Sequence, residues 1–131
     1  MKIEKTNNTP EVIIDKDSCE LVFRGASYPE NATRFYNPIK EKIIKCFEDL
    51  NGSDSSITII CEFSVLNSIS TKYIYSFFKL SDSFSENNKP IKIKWYYEED
   101  DEDMENEGEI FKDVFKNVEF ELLSVDDLDN I

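Results

Sequence analysis

Apolar residues recur along this chain in blocks whose period switches between two and about 3.6 positions. EVIID (11–15) and CELVFR (19–24) alternate as short strands do, and DKDS (15–18) is turn chemistry, so the pair predicts a hairpin. In the second run Cys19, Leu21 and Phe23 share one face. Gly25 ends it, and Pro29 and Asn31 mark a loop. Phe35, Tyr36, Ile39, Ile43, Ile44, Phe47 and Leu50 then follow at helical spacing, with Pro38 inside the pattern. Proline is tolerated only in a first helical turn, so this helix either starts at Asn37-Pro38 or kinks there after a leading turn. NGSDSS (51–56) stops it.

ITIICEFSVL (57–66) is β-branched and largely apolar, the pattern of a strand covered on both faces in a parallel sheet. A second helix carries Ile69, Tyr73, Ile74, Phe77, Phe78 and Phe84. IKIKWYY (91–97) alternates, with Ile91, Ile93, Trp95 and Tyr97 on one face. After an acidic stretch, a short helix with Ile110, Phe111, Val114 and Phe115 leads to a last strand, VEFELL (118–123), and a frayed tail over 124–131. The order β-β-α-β-α-β-α-β predicts one α/β domain over 1–131: a mainly parallel mixed sheet with an antiparallel N-terminal hairpin edge and about three helices.

Right-handed crossovers bring the loops that follow the parallel strands to one edge of such a sheet, where open α/β folds bind their ligands and partners. Three loops qualify: 25–31 (GASYPEN), 66–70 (LNSIS) and 98–107 (EEDDEDMENE). The first holds a turn and a candidate helix cap, Asn31, with Tyr28 beside Pro29 suited to a binding edge. In the second, Asn67 or Ser68 can cap the helix; the remaining hydroxyls are spare, and a phosphate at a helix N-terminus would be locally well received. The third belongs to a run of nine carboxylates in the twelve residues 98–109. It reads as a solvated entry to a helix or a recognition surface for a basic partner, mobile where its like charges repel. The spacing of an EF-hand loop is missing, so we expect no metal.

Composition narrows the function. The net charge is −13, which disfavours nucleic acid and anionic membrane surfaces as partners. There is no histidine, which removes Ser-His-Asp and Cys-His catalysis and the usual general base near neutral pH. The three glycines cannot make a phosphate-binding loop, so no cofactor is expected. Cys19, Cys46 and Cys61 fit neither a metal pattern nor a disulfide framework and read as buried free thiols. No apolar run reaches the ~18 residues of a membrane span and MKIEKTNNTPEV lacks the apolar centre of a signal peptide, so a cytoplasmic location is expected.

TPEV (9–12), SYPENA (27–32) with FYNPI (35–39), LNS (66–68), and WYYEEDDEDM (95–104) with GEIF (108–111) carry a resemblance nearly from end to end. The chain resembles the SiaC-type regulatory phosphoproteins, a family similar in fold to the STAS domain of anti-sigma factor antagonists. The resemblance implies a bacterial partner-switching protein rather than an enzyme. A dedicated Ser/Thr kinase would phosphorylate it, a PP2C-type phosphatase would reset it, and the unphosphorylated form would bind and activate a diguanylate cyclase, favouring cyclic di-GMP synthesis and biofilm formation. The family's acceptor falls on Ser68, with Asn67 positioning it and Ser70 and Thr71 as the other hydroxyls in reach. Partner contacts would come from Ser27, Tyr28, Pro29, Glu30, Asn31, Leu66, Ile69, Tyr97, Glu98, Glu99, Asp100, Asp101, Glu102, Asp103 and Met104. Two alternatives stand beside this one: an anti-sigma factor antagonist controlling transcription, and a Ca²⁺ binder or carboxylate enzyme using residues 98 to 109.

Overall fold

The computed structural model describes residues 1–131. The predicted hairpin is β2 (Glu11–Asp15) and β3 (Glu20–Ser27), paired antiparallel. Its turn forms because the Asp15 carboxylate accepts the backbone N–H groups of Asp17 (2.9 Å) and Ser18 (3.3 Å). Cys19 belongs to this turn and not to the strand: it is half-buried and left-handed, with φ 56°. A two-residue strand, β1 (Lys2–Ile3), extends the antiparallel edge beside β2. It is too short to show any periodicity in the sequence.

α1 (Ala32–Leu50) starts ahead of its proline, with Asn31 as cap: the Asn31 side chain accepts the Arg34 N–H at 3.0 Å. Pro38 therefore lies inside the helix, after a leading turn. β4 (Thr58–Leu66), α2 (Ser68–Ser85), β5 (Lys92–Glu98), α3 (Glu102–Val114) and β6 (Glu119–Val125) follow, then a 3₁₀ turn over Leu128–Asn130. β6 and this turn order most of the tail that composition had marked as frayed; the Leu128 N–H donates to the Glu98 carboxylate at 3.2 Å.

The six strands lie in sequence order, with β3, β4, β5 and β6 mutually parallel. Strands added in one direction by right-handed crossovers put every helix on the same face. A single core of 23 residues accordingly fills the space between that face and the three helices. Phe23, Phe63 and Trp95 line the sheet side, and Tyr36, Phe77, Phe78 and Phe111 come from the helices, with ring centroids 5.1 to 6.1 Å apart where they meet. Each such side chain contributes roughly 1.5–3 kcal/mol by leaving water.

β4 is thus not covered on both faces. Ile59, Cys61 and Phe63 are buried in the core, while Ile60 lies on the helix-free face and is only half-buried. On that face Arg24 bridges Glu11 (2.9 Å) and the buried Glu62 (3.2 Å). The β3–β4 register shifts once: Gly25 pairs with Phe63 but Ala26 pairs with Val65, leaving Ser64 as an extra residue. Beyond the pair Cys61–Trp95, β4 and β5 no longer pair, and the sheet opens at that edge.

Candidate functional site

The edge where β3, β4 and β5 end carries all three candidate loops. At its centre β4 hands over to α2 through Asn67. The Asn67 N–H donates to the Ser27 carbonyl (3.1 Å), tying the handover to the end of β3. The Asn67 side chain accepts the Ser70 N–H (2.9 Å), and its carbonyl accepts both the N–H and the hydroxyl of Thr71, each at 3.0 Å. Asn67 is therefore the cap, and Ser68 is the first residue of the helix.

The hydroxyls of this stretch have different fates. Ser70 is fully buried, and its Oγ lies 2.7 Å from the Ser27 Oγ, which also shares a short hydrogen bond with the Tyr36 hydroxyl. These three groups link α2, β3 and α1 in one buried polar cluster. Thr71 is half-buried and donates back to Asn67. Ser68 alone is exposed and has no hydrogen-bond partner within the protein. It begins a helix whose first amides, its own and that of Ile69, have no intrahelical acceptor, so negative charge there is favoured.

Burial pushes the Tyr36 phenol up to about 12, against the weaker pull of the Ser27 and Ser70 hydroxyls. The sign of the consequence follows from linkage. An unfolded tyrosine ionises near 10 and the folded one near 12, so the stability held by the neutral phenol is complete below pH 10 and lost between about 10 and 12. Two pH units correspond to about 2–3 kcal/mol. Urea titrations at pH 9 and pH 11.5 should show this loss in the wild type and a clearly smaller one in Tyr36→Phe; equal losses would contradict it.

The acidic run is more ordered than its charge suggests, and eight of its twelve residues are helix. Asp101 caps α3 by accepting the Met104 N–H at 3.1 Å, and Glu102, Asp103 and Glu105 fill the first turn, where the helix dipole favours acids. The Tyr97 hydroxyl donates to Glu105 at 3.2 Å, and the Glu99 N–H donates to the Val125 carbonyl. α3 therefore begins at Glu102, not near Ile110. No three acidic or cysteine side chains converge in a way that could hold a metal ion.

Between the free end of β4 and the first turns of α2 and α3 lies a cleft of about 270 Å³, lined by Ser64, Val65, Leu66, Thr71, Asp101, Asp103, Met104 and Glu107. Desolvation pushes the Glu107 carboxyl upward. Its neighbourhood combines exposed apolar surface (Val65, and Ile69 across α2) with carboxylates.

Of the expected contact residues, Tyr28, Glu30, Asn31, Ile69, Glu99, Asp100, Glu102 and Asp103 are exposed, and Pro29, Leu66, Tyr97, Glu98 and Asp101 are partly so. Ser27 and Met104 are buried and have no surface to offer a partner. They shape the edge from below, Ser27 through its hydroxyl cluster and Met104 through its carbonyl, which accepts the Trp95 indole N–H at 3.0 Å. Cys46 and Cys61 are buried free thiols whose pKa burial pushes up, so both stay protonated at neutral pH. No helix is long and apolar enough to cross a membrane.

An exposed hydroxyl thus opens a capped helix at the sheet edge that gathers the three loops. A family model, SiaC family regulatory phosphoprotein, matches residues 3–125, and the chain belongs to that family. Among solved structures, it is similar to a chain in the crystal structure of diguanylate cyclase SiaD in complex with its activator SiaC from Pseudomonas aeruginosa, at 20% identity and TM-score 0.82, covering 95% of this chain and 97% of that one. It is similar also to apo-SiaC from Pseudomonas aeruginosa, at 20% identity and TM-score 0.79, with 95% and 96% covered. No curated protein sequence is detectably similar.

Proposed function

We propose that this protein is a non-catalytic switch that turns on an effector when Ser68 is bare and releases it when Ser68 is phosphorylated. The observation that carries this reading is the contrast among the hydroxyls of the α2 first turn: Ser68 is exposed and unengaged, whereas Ser70 and Thr71 are each committed to the fold. A Ser/Thr kinase adds the phosphoryl group and a PP2C-type phosphatase removes it. The effector is a diguanylate cyclase, by analogy with the SiaD–SiaC complex, which gives the switch an output in cyclic di-GMP.

The added charge of about −1.5 to −2 meets the free amides at the start of α2, so the domain keeps its fold while its docking edge changes. A partner that fits against a bare hydroxyl then faces a phosphate it must desolvate. The test is to treat the protein with the kinase of its own genome, map the phosphosite by mass spectrometry, and offer both forms to the immobilised cyclase. We expect one phosphate, on Ser68, and capture of the unmodified form only. Phosphate on another residue, or equal capture of both forms, would sink the reading.

A further inference from the structure

On the opposite side of the α2 N-terminus from the acidic cleft, α1 and α2 enclose a second, shallow pocket of about 370 Å³. Lys40, Ile69, Lys72, Tyr73 and Ser76 line it. Ile69 is 55% exposed, a large apolar side chain in a first helical turn with nothing over it. Tyr73 gives the pocket a fixed wall: its ring stacks on buried Tyr36 at 5.0 Å, and its hydroxyl shares a 2.9 Å hydrogen bond with Thr33. Lys40 and Lys72 take part in none of the ion pairs of the chain. In a protein of net charge −13, the lining of this pocket holds two unpaired ammonium groups and no carboxylate.

We propose that this pocket is the second half of the docking surface and receives, from the effector, an Asp or Glu side chain carried next to an apolar one. The inference rests on the reading of the Ser68 edge given above. The apolar residue packs on Ile69 and Tyr73, and the carboxylate lies between Lys40 and Lys72. Across α2, the cleft with Asp101, Asp103 and Glu107 calls for a basic residue on the same partner. The effector therefore presents opposite charges to the two sides of Ser68, and this fixes its orientation.

The arrangement also explains how a phosphate can expel a partner that is drawn to an acidic surface. Lys72 lies four residues after Ser68, on the adjoining turn and within reach of a charge on it. A phosphoryl group there draws Lys72 away from the pocket and meets the partner's carboxylate with like charge.

Calorimetry with the purified diguanylate cyclase of the same genome tests the pocket directly. Lys40→Glu with Lys72→Glu should weaken binding of the unphosphorylated protein by tenfold or more. A control of equal charge change, Lys89→Glu with Lys116→Glu, is confined to the segments leading into β5 and β6 and should stay within about twofold. Circular dichroism establishes that each variant is folded. If the wild type binds and the pocket variant binds within twofold of it, the pocket is overturned and the proposed function stands. If the wild type does not bind the cyclase, both are overturned.

Discussion

Ser68→Asp should weaken binding of the cyclase by roughly 30- to 4,000-fold, while Ser68→Ala binds within about threefold of the unphosphorylated wild type. The first range follows from burying an unmatched charge in an interface, about 2–5 kcal/mol, at 1.4 kcal/mol per tenfold. The second follows from position: Ser68 follows the cap, and Asn67 supplies the capping oxygen, so alanine removes only an exposed hydroxyl. Thermal denaturation separates lost binding from lost folding. Aspartate in the first turn favours the helix by about 0.3–1 kcal/mol, so Ser68→Asp should melt no lower than the wild type while failing to bind. A Ser68→Asp protein that binds normally, or that fails only because it unfolds, contradicts the switch.

Gly108→Val should damage the fold by overpacking, lowering stability by about 3 kcal/mol. A Cβ at this position would lie 2.5 Å from both the Leu122 Cδ2 and the Trp95 Cδ1, and 2.7 Å from the Trp95 Nε1. Leu122 is half-buried and can give, but Trp95 is fully buried and its indole N–H is held by the Met104 carbonyl. Relief must come from α3 lifting off the sheet, which breaks that hydrogen bond and opens the contact between Phe111 and Trp95 at 5.4 Å. In a domain of this size the melting temperature should fall by roughly 10 °C. A fall of less than about 3 °C would show that α3 seats on the sheet less tightly than these distances require.

Periodicity carried the reading of the fold well because most elements have enough apolar positions to declare their period. The five longer strands, α1 and α2 are where alternation and helical spacing put them, within a few residues. β1 failed because two residues have no period, and α3 started early because acids in a first turn look like a loop until the dipole and the Asp101 cap are counted. The mistaken two-sided burial of β4 has a different cause. Val65 and Ile60 are apolar without being core residues, so composition overstated the cover.

At the candidate site, a helix cap at Asn67 or Ser68 and the three-loop edge were legible from turn chemistry and topology, and the structure assigns the cap to Asn67. Ser68 as an acceptor came from the family resemblance alone. The buried role of Ser70 was missed, although counting back four from Ile74 puts it on the core face of α2. Ser27 and Tyr36, its partners, are too far away in sequence for any local pattern to join them. The Lys40–Lys72 pocket was equally invisible, because it depends on how α1 packs against α2.

Ser64 sets the phase of everything downstream of it. A strand has a reading frame of two, and one surplus residue moves the following side chains to the other face. With Ser64 looped out, Leu66 pairs with Ser27 and packs on the core, and Val65 is turned to the outside. Were Ser64 paired in register instead, Val65 would be opposite Ser27 and Leu66 would face away from the core. Asn67 would then come one step out of phase with the Ser27 carbonyl that holds it, and α2 would begin with the wrong residue turned to solvent. The polar character of the α2 first turn is thus read correctly only because the chain carries an unpaired serine three residues before the cap.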